Sequence, residues 1–498
     1  MEFINALVET LTNFELLTLV LLASIVGIII GSIPGLTISA AMAIILPLTY
    51  FMDPLFAISL LYVMGKAGRY GGSISAILFN TPGTTASTIT QIDGYPMAQK
   101  GQAEKALKIS AVSSMCGDLI GDVLLLLCIG VLSAFALQLG PPEVFSIYLT
   151  TFILLAFVIN KHPLKGFVCI LLGMLTSTIG IDPISGQERL DFDVFELLNG
   201  ITLIPLMIGM FVMSEVIDRA VMQVDSTQSN SQQQAQSKNL AYSDIKRCFS
   251  PILSGGFIGA IVGLLPGIGS AVAAYLSYLF SKSRSNTPEC WGKGEIQGVA
   301  SAESANNAVS GPSMIPLLTL GIPGSTMGTV LLSALIIHGV NVGPTLMIGS
   351  QDFILQIFIC GIIGIICYGL IGFFAAKHIA AMVDNLPQQL IYPAIFILCF
   401  ISAYSISGSN FDVLIMIIAG IAGWLMKRFQ FSPPIFIIAF ILTKGAEESL
   451  IQTKLLSTFG LDILLERPIA LGFLSFSGFI LLFRFALLLR KSKHNTVF

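Results

Sequence analysis

The sequence predicts an all-α polytopic membrane protein of about 12 transmembrane segments, in two repeat halves with broken helices or re-entrant hairpins. Three observations predict it. Of the 498 residues, 54% are hydrophobic and only 11% charged, and the mean hydropathy is +0.86. A soluble chain carries about a quarter charged residues. Apolar runs of spanning length recur, at roughly 20 residues each. Pro-Gly pairs then interrupt those runs at matching places in the two parts of the chain. An interrupted backbone in a membrane must be buried in protein or line a wet cavity, so matched interruptions point to a transport site.

The elements follow in order. Met1 to Glu15 is acidic and lacks the basic start of a signal peptide, so Leu16–Ile33 reads as a retained first helix. Pro34-Gly35 interrupts it, and Ile38–Phe51 is a second apolar run that Asp53-Pro54 ends. Leu55–Met64 is apolar again. Lys66, Arg69 and the glycines 68, 71 and 72 then lead to Ser73–Phe79, a piece too short to span alone. A re-entrant hairpin is expected there, with Asn80-Thr81-Pro82-Gly83-Thr84-Thr85 at its tip. Asp93–Lys108 is polar. Leu107–Leu137, Val144–Ile159, Gly166–Ile179 and Ile201–Val216 read as spans. Between the last two, Asp182–Asn199 is a charged loop.

Gln223–Ser243 is rich in Gln, Ser and Asn without apolar periodicity, the composition of a flexible linker. It divides the chain into a first transmembrane half at 1–222, a linker at 223–245 and a second half at 246–498. The second half echoes the first. Gly259-x-x-x-Gly263-x-x-Pro266-Gly267 matches Gly27-x-x-x-Gly31-x-x-Pro34-Gly35, and Gly321-Ile322-Pro323-Gly324-Ser325-Thr326 corresponds to Asn80–Thr85. Two such matches in the same order make an internal repeat. Ile354–Ala376, Leu390–Tyr404, Val413–Met426, Pro434–Leu442 and Ile469–Leu489 complete the spans. Lys427-Arg428 and Arg490-Lys491-Ser-Lys493 place their ends on the cytoplasmic side.

Broken helices expose amides at one half-helix and carbonyls at the other. The amides suit an anion such as a carboxylate, and the freed carbonyls suit Na⁺. The substrate-binding candidates are therefore Asn80, Thr81, Pro82, Gly83, Thr84 and Thr85 with Gly324, Ser325 and Thr326. Asn306 and Asn307 join them, since adjacent amides in a membrane segment are costly unless they bind something or link helices. The ion-binding candidates are Gly35, Gly267, Asn80 and Gly321. Glu303 reads either as a coupling proton site or as a loop-end carboxylate. Asp118 and Asp122 share one helix face, as helix-end charges or as a proton relay. Lys66 and Arg69 could draw in an anion or anchor the helix at the interface. His162 and His378 read as solvated loop residues, and His338 as a packed polar group or a site neighbour.

Other chemistry finds no support. The eight cysteines form no CxxC pair and no Cys/His ligand spacing, so no transition metal is expected. No nucleophile elbow, phosphate-binding loop or basic aromatic patch occurs, which argues against an enzyme, an ATP-driven pump and a nucleic-acid binder. No cofactor is expected beyond a coupling cation, Na⁺ before H⁺. A passive channel and a permease for a non-carboxylate solute are the alternatives.

The residues resemble the large membrane subunit of the tripartite tricarboxylate transporters, the TctA-like family, nearly end to end. The likeness rests on Gly31-x-x-Pro34-Gly35-Leu36, Asn80-Thr81-Pro82-Gly83-Thr84, Asp93-Gly94-Tyr95-Pro96-Met97-Ala98 and Gly140-Pro141-Pro142-Glu143. Ile181-Asp182-Pro183-x-x-Gly186, Phe211-x-x-Ser214-Glu215, Glu303-x-x-Asn306-Asn307-Ala308, Leu320–Ser325 and His338-Gly339-x-x-x-Gly343-Pro344 extend it. The resemblance implies a secondary transporter of the bacterial inner membrane. It implies two partners, a small membrane subunit and a periplasmic solute-binding protein that delivers a citrate-like carboxylate, with possible homo-oligomers. An ion gradient would drive uptake by alternating access. Family members often carry Pro where this chain has Thr85 and Ala302.

Overall fold

The computed structural model describes residues 2–33, 36–136, 138–159, 163–182, 186–221, 240–265, 269–340, 342–343, 346, 350–384, 388–456 and 461–495. Helices account for nearly all regular structure among them. The first part of the chain runs α1 (Glu2–Thr12), α2 (Phe14–Ser32), α3 (Ile38–Ile45, tightening into a 3₁₀ turn over Leu46–Phe51), α4 (Pro54–Phe79), α5 (Ser87–Gln99) and α6 (Ala103–Ala136). It continues with α7 (Pro141–Ile153), α8 (Pro163–Ser177), α9 (Leu203–Met207) and α10 (Ser214–Val221). The second part runs α11 (Tyr242–Gly263), α12 (Gly269–Ser283), α13 (Ile296–Ala308), α14 (Met314–Leu320), α15 (Thr326–Ile337) and α16 (Gln351–Asp384). It ends with α17 (Gln388–Ser407), α18 (Asn410–Arg428), α19 (Pro433–Leu455), α20 (Ile463–Glu466) and α21 (Pro468–Asn495). Between α8 and α9, β1 (Gly180–Ile181) pairs antiparallel with β2 (Glu188–Arg189).

Five segments are long and apolar enough to cross a membrane: Phe14–Ser32, Ala103–Cys128, Tyr242–Gly263, Gln351–Ala375 and Asn410–Arg428. Shorter apolar helices lie among them. Leu21, Leu22, Leu171, Leu172, Phe257, Ile261, Leu414 and Ile418 are exposed, while Lys66, Asp118, Asp122, Glu303, Asn306 and Asn307 are fully buried. Large apolar side chains outside and charges inside suit hydrocarbon as the solvent. The molecule is a multi-pass membrane protein.

Local chemistry sets the helix ends. The Asn13 side chain accepts the Leu16 amide at 3.0 Å to cap α2, and Asp53 accepts the Leu55 amide at 2.9 Å to cap α4, with Pro54 in the first turn. Ser325 caps α15 by accepting the Gly328 amide at 3.1 Å. Two helix ends are built alike. Helix α4 ends at Asn80 with φ 56°, and α14 ends at Gly321 with φ 67°. In each the next amide reaches back six residues: Thr81 N to Ser75 O at 3.4 Å, Ile322 N to Pro316 O at 3.1 Å. The left-handed residue releases the chain, and the proline after it prevents resumption.

Close packing is also built alike in the two parts. Helix α2 lies on α4, and a Cβ added to Gly27 would stand 2.5 Å from the Met64 carbonyl oxygen and 2.9 Å from Ala67 Cβ. Helix α11 lies on α13, where a Cβ at Gly259 would stand 2.5 Å from the Ala305 oxygen and one at Gly263 would stand 2.8 Å from the Val309 oxygen. Glycines four apart let the backbones meet, which lipid chains alone would not enforce. Helices α2, α4, α5, α6, α11, α12, α13 and α16 form one bundle. Helices α7, α8, α19 and α21 pack together beside it, and α18 lies on the π-turn Ile208–Met213.

Several expectations are corrected here. Ser73–Phe79 is no separate short piece. Glycines 68, 71 and 72 do not break the backbone, and Pro54–Phe79 is one helix of 26 residues. At 1.5 Å per residue that is about 39 Å, enough to cross. The polar segment from Asp93 is helical, in α5 as far as Gln99 with Pro96 inside it and in α6 from Ala103. His378 lies exposed on helix α16, not in a loop. The linker over 223–245 lies largely outside the described residues, and α11 has already begun at Tyr242. His162, Gly35 and Gly267 also lie outside the described residues.

Candidate functional site

Two broken-helix segments flank α4. On one side, Gly83 donates its amide to the Gly72 oxygen at 3.2 Å, and a Cβ on Gly72 would lie 3.2 Å from the Thr84 methyl. On the other, a Cβ on Gly65 would lie 2.6 Å from Met327 Sδ. Thr326 Oγ1 meets Ser39 Oγ at 2.8 Å, which ties the start of α15 to the start of α3. In the same way α5 packs against α12, with Ala86 beside Ala274 and Ala302. Each part of the chain thus receives the broken helix of the other.

Between the breaks lies a buried set of charges. Lys66 Nζ donates to Asp118 Oδ1 at 2.6 Å, Asp122 Oδ1 at 2.9 Å and Ser310 Oγ at 2.9 Å. Tyr368 OH donates to Asp118 Oδ2 at 3.1 Å, and Ser310 also bonds Asp118. Glu303 accepts from Ser73 Oγ at 2.6 Å, Ser114 Oγ at 2.8 Å and the Thr90 hydroxyl. Asn307 Nδ2 donates to Ser114 Oγ at 2.9 Å and to the Glu303 oxygen at 3.0 Å. Arg69 donates from Nη1 to the Asn306 oxygen at 3.1 Å. Four helices, α4, α6, α13 and α16, supply most of these groups, and the spacing explains why. Glu303 and Asn306 or Asn307 repeat every three to four residues, as do Lys66, Arg69 and Ser73, and Asp118 and Asp122, while Ser310 follows in the turn just past α13. Each set therefore faces one way from its helix.

Some polar atoms in this interior carry no partner. Asp122 Oδ2, Asn307 Oδ1 and both side-chain atoms of Asn306 lack a hydrogen bond among the described residues. Unpaired polar atoms in a dry interior cost about 1–3 kcal/mol each unless something else binds them.

The anticipated site residues divide into groups. Asn306 and Asn307 lie in the buried charge set. Gly83 and Thr84 reach α4 one turn from Arg69, through Gly72. Asn80 is exposed, and Gln91 Nε2 holds its Oδ1 at 2.5 Å and its carbonyl at 3.0 Å. The amides of Asn80, Thr81, Gly83 and Thr84 are already bonded within the protein, so this break does not offer a row of open amides. The broken chain satisfies its own donors by folding onto Ser75, Gly72 and Ser87. Thr81 and Pro82 are half-buried and Thr85 is exposed. Gly324 is buried, and Gly321 caps α14. His338 caps α15, and its Nε2 lies 3.3 Å from Thr49 Oγ1, away from the charges.

Three readings left open by the residues are decided by burial. Asp118 and Asp122 are not helix-end charges, because both are fully buried against Lys66. Lys66 is no interface anchor. Glu303 is no loop-end carboxylate, since it lies within α13 and is fully buried. A signal for the triad was present in the sequence: a lysine in mid-helix and two aspartates four apart in another apolar helix have to find each other in lipid.

The Asp93 stretch is a structural clasp. Asp93 Oδ1 accepts the amides of Gly292, Gly294 and Glu295, each at 2.8 Å, and Oδ2 accepts Tyr278 OH at 2.8 Å. It fastens α5 to the loop that enters α13.

Comparison with known proteins identifies a family. Residues 17–438 match the model of the tripartite tricarboxylate transporter TctA family. An uncharacterized 52.8 kDa protein from the TAR-I ttuC' 3' region of Agrobacterium vitis is 34% identical over 455 residues, covering 91% of this chain and 89% of the relative. An uncharacterized protein from the TAR-II ttuC' 3' region of the same organism is 33% identical over 245 residues, covering 48% of this chain and 98% of the relative. No solved structure matches.

Proposed function

The chain belongs to the TctA family of tripartite tricarboxylate transporters, and from that premise we propose that it is the permease subunit of a secondary active transporter for citrate-like carboxylates. It is a membrane component of a transport system, not an enzyme. In this reading it sits in the bacterial inner membrane beside a small membrane subunit, and a periplasmic solute-binding protein delivers the carboxylate. A cation gradient, Na⁺ before H⁺, drives uptake.

The observation that carries the reading is the buried charge set of Lys66, Asp118, Asp122 and Glu303 between two helix breaks. Ionisable groups in membrane helices are costly and mark ion or substrate paths. Substrate would meet Asn80–Thr85, Gly324–Thr326 and the Asn306-Asn307 pair. Carbonyls freed at the breaks, that of Gly321 among them, would take the cation. The two alike pairs, α2 with α4 and α11 with α13, support two repeat halves that rock about this interior in alternating access.

The test is uptake by proteoliposomes holding the permease with its partner subunits, under imposed Na⁺ or H⁺ gradients, with citrate and succinate as probes. Saturable, gradient-driven accumulation supports the reading. Unsaturable flux means a channel. Unchanged uptake and ion dependence in both Asn80→Ala and Asn307→Ala removes the site assignment.

A further inference from the structure

We infer that Arg69 is the carboxylate receptor of this transporter, with the Asn306 side chain as its neighbour in the site. The inference rests on the carboxylate-transport reading and names the group that recognises the anion.

The other buried charged groups around Arg69 each meet several side chains. Lys66 meets two aspartates and a serine, and Glu303 meets three hydroxyl groups. Arg69 differs. Its residue is 5% exposed, yet among the described residues no carboxylate lies within 4.0 Å of it. Among the described residues its one hydrogen bond goes to a neutral carbonyl, that of Asn306. A guanidinium has five N–H donors in a rigid fork shaped for a carboxylate. A fork so buried, with one hydrogen bond to a carbonyl, has donors left for an anion.

Asn306 supplies an independent observation. The residue is fully buried, and neither Nδ2 nor Oδ1 has a partner. Its own carbonyl holds Arg69, so the unpaired amide belongs to the residue that the guanidinium touches. An amide N–H there is a further donor for a carboxylate oxygen, and Oδ1 can accept from a substrate hydroxyl.

Position agrees. Gly65, Gly68, Arg69 and Gly72 share one stripe of α4. Gly65 touches Met327 beside one break, Gly72 touches Gly83 and Thr84 in the other, and Gly68 touches Ile38 at the start of α3. Arg69 stands between the breaks, about one helical turn from each contact. Lys66 cannot serve instead, because its three donors are taken. The triad also helps Arg69 at a distance. One lysine against two aspartates places a further carboxylate near Arg69 without occupying its fork.

The experiment uses the permease with its partner subunits in proteoliposomes and radiolabelled citrate or succinate. Arg69→Gln is expected to lower uptake at subsaturating citrate by about 100-fold, the size of a lost bidentate charged pair. Arg69→Lys keeps the charge and loses the fork, and is expected to raise KM by about 10-fold with the maximal rate retained. A folded Arg69→Gln protein with wild-type KM overturns the inference. A second measurement needs no variant: phenylglyoxal labelling of the wild-type complex, with the modified arginines located by mass spectrometry. Protection of Arg69 by citrate supports the assignment. An Arg69 that is never labelled, or is labelled equally with and without citrate, overturns it. Wild-type vesicles that accumulate neither probe overturn the carboxylate reading itself, and that result is distinct from intact uptake by Arg69→Gln.

Discussion

Lys66 Nζ lies 2.6 Å from Asp118 Oδ1, and neither side chain meets solvent. They come from helices α4 and α6, so the pair joins two spans at depth. Asp122 completes the triad at 2.9 Å. Such an arrangement is weak evidence for stability on its own, but removing one partner strands the others in a low dielectric.

Lys66→Met should therefore be strongly destabilising, by about 3–5 kcal/mol. The double change Lys66→Met with Asp118→Asn should recover part of the loss. Thermal unfolding of the four proteins of the cycle, in one detergent, measures the coupling. Additive losses would show that the two groups do not act together.

Glu303→Gln keeps the shape and most of the hydrogen bonds of the side chain while removing its charge. If Glu303 takes part in ion coupling, the variant should fold and exchange substrate across the membrane, yet fail to accumulate it against a gradient. Counterflow and gradient-driven uptake, measured side by side, separate the two. Normal accumulation would assign Glu303 to packing alone.

Gly259→Val should prevent α11 from seating on α13. The added side chain meets the Ala305 backbone and Ala308 Cβ, where nothing can yield cheaply. A cost of at least about 1–3 kcal/mol is expected from overpacking. The yield of monodisperse protein by size exclusion reports it, with Gly130→Ala as a comparison, since nothing lies within 4 Å of a Cβ there.

Asp93→Ala should loosen the loop before α13. Three amides and one phenol lose their acceptor together, at about 1–3 kcal/mol for each group left buried and unbonded. Limited proteolysis should then cut near Pro288–Glu295, where the wild type resists. Asp93→Asn, which keeps an acceptor oxygen, should be cut less.

Asn80→Gly should leave the fold intact, because glycine accepts φ 56° without strain. Asn80→Val should destabilise it, since a β-branched residue is a poor occupant of that region. Thermal shift of the two proteins compares them, and equal midpoints would refute the role of this residue as the helix stop.

Much of this was legible in the residues. Apolar runs longer than a soluble helix needs announced the spans. Pro-Gly pairs announced the two breaks, because that signal is local. Lys66, Asp118, Asp122 and Glu303 were visible as charges, but their partners were not. Each helix face is readable from its own spacing, whereas which faces meet depends on how the helices cross. The expected hairpin arm at Ser73–Phe79 failed for a related reason. Glycines 68, 71 and 72 looked like punctuation, but they serve close contacts with Ile38, with α2 and with Gly83. The intervening helix stays whole.

The sequence by itself determined that the chain is helical, membrane-embedded and interrupted at Asn80–Thr85 and Gly321–Thr326. It did so because composition, period and turn chemistry act over a few residues. Only the tertiary structure decided that Lys66 is saturated while Arg69 is not. That difference is set by distances between α4, α6 and α13, which pair one cation with two aspartates and leave the other, one turn along the same helix, bonded to the Asn306 carbonyl.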